Sequence, residues 1–138
     1  MITSDRQHKA AQEKLVMLKA ALDAPTKPGV SKVIAKAARM QIQELIGELQ
    51  GEIDDYTRTG KMKPSDIPIN TFDDLMIAPI RYRISSHLSV DKFARMVDIS
   101  PRQILRYESQ AYQNSSIDNL KKILDRLHIK LHGKIESF

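Results

Sequence analysis

The stretch Leu88–Glu108, LSVDKFARMVDISPRQILRYE, decides how this chain is to be read. Val90, Phe93, Ala94 and Val97 recur at helical spacing and give a first short helix one apolar face. Asp98 and Ile99 interrupt that pattern. Ser100 is a strong helix-capping type, and Pro101 follows at the first helical position, where its missing N–H costs nothing. The second helix, Pro101 to Glu108, has Ile104, Leu105 and Tyr107 as its buried or half-buried positions. Arg102, Gln103 and Arg106 point elsewhere. Arg pairs with guanine edges, Gln with adenine edges, and either can grip a phosphate. Two helices of about two turns each, joined by a tight turn, form a helix-turn-helix unit, and the second helix has the side chains of a recognition helix.

With the run RYESQAYQNSSIDNLKKILDRLHI that continues it, the segment resembles the Cro/lambda-repressor-like (XRE) helix-turn-helix family. The residues that carry the resemblance are Leu88-Ser89, Phe93-Ala94, Ile99-Ser100 and Ile104-x-Arg106-Tyr107-Glu108. It implies double-stranded DNA as partner, a homodimer on an inverted repeat, and the helix Pro101–Glu108 in the major groove. Arg83 falls where the family often carries an Arg that approaches the DNA backbone, and is read as exposed together with Arg81. The expected DNA-contact set is Arg83, Ser89, Ser100, Arg102, Gln103, Arg106, Asn114 and Ser115. Two positions depart from the family. Val90 stands where Gln is usual, which removes one expected contact. Asp98 stands where Gly is usual, and must take a left-handed conformation at some cost. Antitoxins of this family repress their own operon and also neutralise a protein partner, so a toxin is a second expected partner.

Composition sets the frame. The chain has 138 residues, of which 41% are hydrophobic and only 5% aromatic, so one or two small domains with aliphatic cores are expected. Without cysteine, disulfides and thiolate chemistry are excluded. No apolar run approaches the ~18 residues that span a bilayer. MITSDRQHKA lacks the apolar region of a signal peptide, so a cytoplasmic protein is expected. Net charge is +5, unevenly placed. Residues 1–60 carry nine Lys/Arg against eight Asp/Glu; residues 61–138 carry thirteen against nine, so the excess lies with the helix-turn-helix half. No phosphate-binding loop, nucleophile elbow or HExxH motif is present. His128 and His132 are four apart but have no acidic or cysteine neighbours suited to a metal, so neither a cofactor nor enzymatic activity is expected.

Taken in order, residues 1–9 are expected to fray. Ala10–Leu22 forms a helix with Ala11, Leu15, Leu18 and Leu22 inward, ended by Pro25, Pro28 and Gly29. A long helix follows from Ser31 to Thr59, striped by Ile34, Ala38, Leu45, Leu49, Ile53 and Tyr56 and stopped by Gly60. Gly47 and Gly51 on it leave room for close approach of another helix. Residues 1–60 are thus expected to be a helical hairpin that dimerises or docks a partner, the alternative being a hairpin that buries its stripe on itself, and residues 61–70, with Pro64 and Pro68, are a linker. In residues 71–138, Thr71 caps a helix that has Leu75, Ile80, Ile84 and Leu88 inward and an awkward Pro79, resolved by a kink or an effective start at Ala78. A loop, Ser109–Ser115, leads to a last helix from Ser116 to Leu127 with Ile117, Leu120, Ile123, Leu124 and Leu127 as its apolar face. Ser115 or Ser116 caps it, and Ile129–Leu131 forms a short strand or final turn. The expected fold is all-α: a long-helix hairpin, then a compact helix-turn-helix domain of four or five helices.

Overall fold

The computed structural model describes residues 1–137 and is all-helical, dividing into two compact units at Lys61/Met62. The first unit is a hairpin of α1 (Asp5–Asp23) and α2 (Lys32–Lys61). Ser4 caps α1, its Oγ accepting from the Gln7 amide at 3.2 Å, while the Thr3 amide donates to Gln7 Oε1 at 2.8 Å. The first residues are therefore not frayed. Ile2 is buried with Ala11, Leu15 and Ile53, and Ile46, Leu49 and Tyr56 pack against that cluster. The Tyr56 hydroxyl donates to Asp5 Oδ1 at 2.6 Å and closes the hairpin at that end.

Gly60 does not stop α2, which runs to Lys61 with thirty residues against nineteen in α1. At ~1.5 Å per residue the longer helix reaches roughly 45 Å and the shorter roughly 28 Å. One short helix covers one side of a long one. Ile34 and Leu45, expected inside, are exposed accordingly, together with Val33 and Met40.

The second unit opens with a single 3-10 turn, Pro64–Asp66, and contains four α-helices among its described residues: α3 (Phe72–Ser85), α4 (Val90–Val97), α5 (Pro101–Ser109) and α6 (Ile117–Arg126). A reciprocal cap starts α3. Thr71 Oγ1 accepts from the Asp74 amide, and Asp74 Oδ2 accepts from the amides of Thr71 and Asn70 at 3.1 and 2.9 Å. These bonds hold the Asp74 carboxyl below the ordinary carboxylate range, the Asn70 amide being the largest cause. The helix starts at Phe72, six residues before the Ala78 start allowed by the sequence, because a strong cap compensates for the one hydrogen bond that Pro79 cannot donate. Pro79 itself is buried. The core gathers Ile80 and Ile84 from α3, Phe93, Ala94 and Val97 from α4, Ile104 and Tyr107 from α5, and Ile123 with Leu127 from α6. Ile117, expected on the apolar face of α6, is 72% exposed because it lies in the first turn, beyond the reach of the core. The chain from Ile129 to Leu131 is neither strand nor helix.

Candidate nucleic-acid interface

The turn between α4 and α5 depends on Asp98. Its backbone sits at φ 56°, ψ 48°, the left-handed conformation, and its amide donates to Ala94 O. The Ile99 amide donates to the same carbonyl at 3.1 Å. A glycine would adopt this conformation without strain; here the neighbours hold it instead. Lys122 Nζ from α6 lies 2.8 Å from the Asp98 carbonyl and 3.3 Å from its Oδ2, and Arg126 Nη2 lies 3.9 Å from the same oxygen. Nothing in the local sequence marks Lys122 and Arg126 as turn supports.

Ser100 caps α5 by accepting from the Gln103 amide at 3.2 Å, and Pro101 begins the helix. Ile104, Tyr107 and Glu108 are buried, so α5 is held by one face along its length. Arg102 and Arg106 are exposed on the other, and Gln103 is half-buried at its margin. Leu105, expected to be buried or half-buried, is exposed. The helix is short and turns by ~100° per residue, so only three of its nine side chains reach the core.

Arg83 is not exposed. Only 6% of its surface is accessible, and its guanidinium meets Glu108 in a two-pronged pair: Nε to Oε2 at 2.6 Å and Nη2 to Oε1 at 2.7 Å. Nη1 also donates to the Leu88 carbonyl at 3.1 Å. A guanidinium committed in this way does not present its fork to a phosphate. Arg83 is thus a positioning residue: it ties the end of α3 to the end of α5 and to the chain entering α4. The same pairing accounts for an acidic residue on a helix whose other charged side chains are the exposed Arg102 and Arg106. Glu108 points inward and is neutralised. A buried ion pair adds little net stability, because desolvating both charges offsets their attraction, but it selects one orientation for the helix that bears it.

Behind α5, the Asn119 side-chain amide donates to the Tyr107 hydroxyl at 2.6 Å. Tyr107 also packs on Tyr112, with ring centroids 5.3 Å apart. Tyr112 is wholly buried although it lies in the connection after α5, where Ala111 and Tyr112 both take left-handed backbone conformations. Its amide donates to Tyr107 O at 2.8 Å, which folds the connection back under α5. Burial first, and the Glu108 charge second, push the Tyr112 phenol well above its ordinary value.

Ser89 caps α4 through the Lys92 amide and is exposed, as is Asn114 in the connection to α6. Ser115 is half-buried and its hydroxyl donates to Tyr112 O at 2.8 Å; Ser116 is the residue that caps α6. The Ser115 hydroxyl proton is therefore used within the domain. Arg95, on α4 and exposed, lines a shallow depression with Asp98, Ser100 and Pro101 at the mouth of the turn, and is a cation that the helical pattern alone does not single out. Among the described residues no group of three or more His, Cys, Asp or Glu could hold a metal ion, and no helix is long and apolar enough to cross a membrane.

The helix-turn-helix family model matches residues 80–133, a span that begins inside α3 and contains α4, α5 and α6. Comparison with curated proteins yields no match, and comparison with solved structures yields none. The matched span coincides with the elements that set and brace α5, while residues 1–79 lie outside it. Over residues 80–133 the chain is thus similar to helix-turn-helix domains of the Cro/CI-like (XRE) kind, a family of DNA-binding regulators.

Proposed function

We infer that the protein is a sequence-specific transcriptional regulator, acting in the cytoplasm as a homodimer on an inverted repeat, with α5 in the major groove of each half-site. One observation carries this reading: α5 is locked on its inner face by Ile104, Tyr107 and the Arg83–Glu108 pair, and offers Arg102 and Arg106 on its outer face. A rigid helix with free guanidinium groups is what reading base edges requires, because the groups must be held in place before the duplex arrives. Gln103 reads from the margin. Ser89 and Asn114, with the first amides of α6, supply phosphate contacts that set the register. Arg83 supports this set from inside. Two-fold symmetry then spaces the half-sites by ~34 Å.

The test is to select duplexes from a random-sequence library with the full chain, then measure binding to the selected site. Arg102→Ala and Gln103→Ala are each expected to cost ~1–3 kcal/mol and to relax one base position. A chain that selects no sequence, or variants that bind the selected site as the parent does, would overturn the reading.

A second reading is favoured by the exposed apolar residues of α2, namely Val33, Ile34, Met40 and Leu45. In it the hairpin holds a protein partner, as in an autoregulatory antitoxin that neutralises a toxin, and DNA binding controls the supply of the pair. Purification from the native host separates the two. A stoichiometric partner, lost when Ile34 and Met40 are changed to Glu, supports the antitoxin reading; a homodimer alone supports a plain repressor.

A further inference from the structure

Leu105 is the one leucine on the outward face of α5. At ~100° per residue, Arg102, Leu105, Arg106 and Ser109 share a face, being spaced i, i+3, i+4 and i+7. All four are exposed, Leu105 by 57%, while Ile104, Tyr107 and Glu108 on the opposite face are buried. Single exposed apolar residues are ordinary on protein surfaces, so exposure by itself says nothing. Position does. Leu105 stands one turn from Arg102 and next to Arg106, in the middle of the surface that would enter a groove.

An isobutyl group neither donates nor accepts a hydrogen bond. Of the groups that base pairs display in the major groove, the C5 methyl of thymine is the apolar one. We propose that Leu105 is a specificity-determining residue that packs on the C5 methyl of one thymine in each half-site. The proposal rests on the DNA-reading role of α5 inferred above, and names the chemical group that this helix recognises besides hydrogen-bonding edges. From Arg102 to Leu105 the helix advances ~4.5 Å, close to the ~3.4 Å between successive base pairs. The thymine therefore lies about one step from the base or phosphate held by Arg102. Cytosine in its place lacks the methyl and sets an amino donor against an aliphatic group that cannot accept from it, so the position also rejects cytosine.

The experiment uses the full chain and the duplex it selects. Each thymine of the selected site is replaced in turn by uracil, which removes only the methyl, and affinity is measured for the parent and for Leu105→Ala. One thymine per half-site is expected at which uracil weakens parent binding about fivefold, the effect of one methyl removed from a buried contact. Leu105→Ala is expected to weaken binding to the thymine duplex by a similar factor and to lose all sensitivity to uracil at that position. Because Leu105 is exposed, thermal melting of the variant should match the parent. A flat uracil scan for the parent overturns the proposal, as does a uracil effect that persists in Leu105→Ala. If Leu105→Ala instead dissociates the protein in sedimentation and weakens every duplex alike, Leu105 is a contact between protein subunits, and the proposal fails. A parent chain that selects no site at all overturns the regulator reading itself, and this inference with it; a selected site with a flat scan overturns this inference alone.

Discussion

The two units of this chain place opposite kinds of residue on the wrong side of the usual divide. The hairpin leaves Val33, Ile34, Met40 and Leu45 in water and buries four apolar side chains in its principal cluster. Among its described residues the helix-turn-helix unit buries twelve hydrophobic side chains besides Pro79 and, with them, the Arg83–Glu108 ion pair. A large core can enclose a charge pair because the surrounding burial outweighs the desolvation cost. A small core cannot, and the hairpin's ion pairs, such as Met1 N with Glu52 and Arg58 with Asp55, lie at its surface. The contrast separates a unit organised to hold one helix rigid from a unit with surface to spare.

The largest effect should follow from breaking the buried pair. Glu108→Ala leaves the Arg83 guanidinium uncompensated in the core and is expected to destabilise the second unit by ~3–5 kcal/mol, read as an early loss of its denaturation transition. Replacing both partners, Arg83→Met with Glu108→Leu, should recover most of that loss, since an apolar pair of similar volume is often neutral or better. If the double variant melts as early as the single one, the pair does more than orient α5. Next in size is Leu15→Ala in the hairpin. It should cost ~2 kcal/mol, at the lower end for a buried leucine because the hairpin core is thin, and should leave amide exchange in α3 to α6 unchanged. A matching loss of protection in α5 would show that the two units do not unfold separately.

A smaller change should run the other way. Gly47 and Gly51 are helical, and a Cβ at either would meet open space within 4 Å. Gly47→Ala and Gly51→Ala are each expected to stabilise the hairpin by ~0.5–1 kcal/mol in thermal melts, as glycine is the poorer helix former. Should either substitution destabilise the full chain in solution, that face of α2 is covered by another molecule, and the surplus surface of the hairpin is an interface.

What could be read from the sequence follows the range of the interaction. Capping by Thr71, Ser89, Ser100 and Ser116 is settled within three residues, and the apolar spacing of α4 and α5 within one or two turns, so these were legible. Arg83 was not. Its partner lies twenty-five residues away, and an arginine in an amphipathic helix looks exposed until a buried carboxylate is known to face it. Tyr112 escapes sequence reading for a related reason: a tyrosine in a mostly polar stretch reads as loop, and its burial depends on two successive left-handed residues that no side-chain pattern announces. Leu105 and Ile117 read as inward because they are apolar, although the core extends to neither. In the hairpin, Ile2 lay outside any helical period, and only the closed fold shows that it covers Ile53.

The smallest expected effect uses the two helix starts as a matched pair. In the hairpin, α1 is capped by Ser4 and by the amide side chain of Gln7, neither of which titrates. In the second unit, Asp74 stands in the place of the glutamine, and its carboxylate accepts from the amide of the cap residue Thr71 as well as from that of Asn70 before it. Hydrogen bonds from the Asn70 and Thr71 amides favour the charged carboxylate and lower its pKa from the unfolded value of 3.8. A group whose pKa is depressed on folding contributes stability that is complete above the unfolded value and is lost as pH falls through the folded one. Acidification from pH 5 to pH 3 should therefore weaken amide protection at Asn70 and Thr71 while leaving Thr3, whose amide donates to the Gln7 side chain, protected. Asp74→Asn keeps an acceptor but cannot titrate, and should flatten that response. If the two helix starts lose protection together in acid, the cause is not the cap carboxylate, and the difference between the units at their helix ends is one of shape alone.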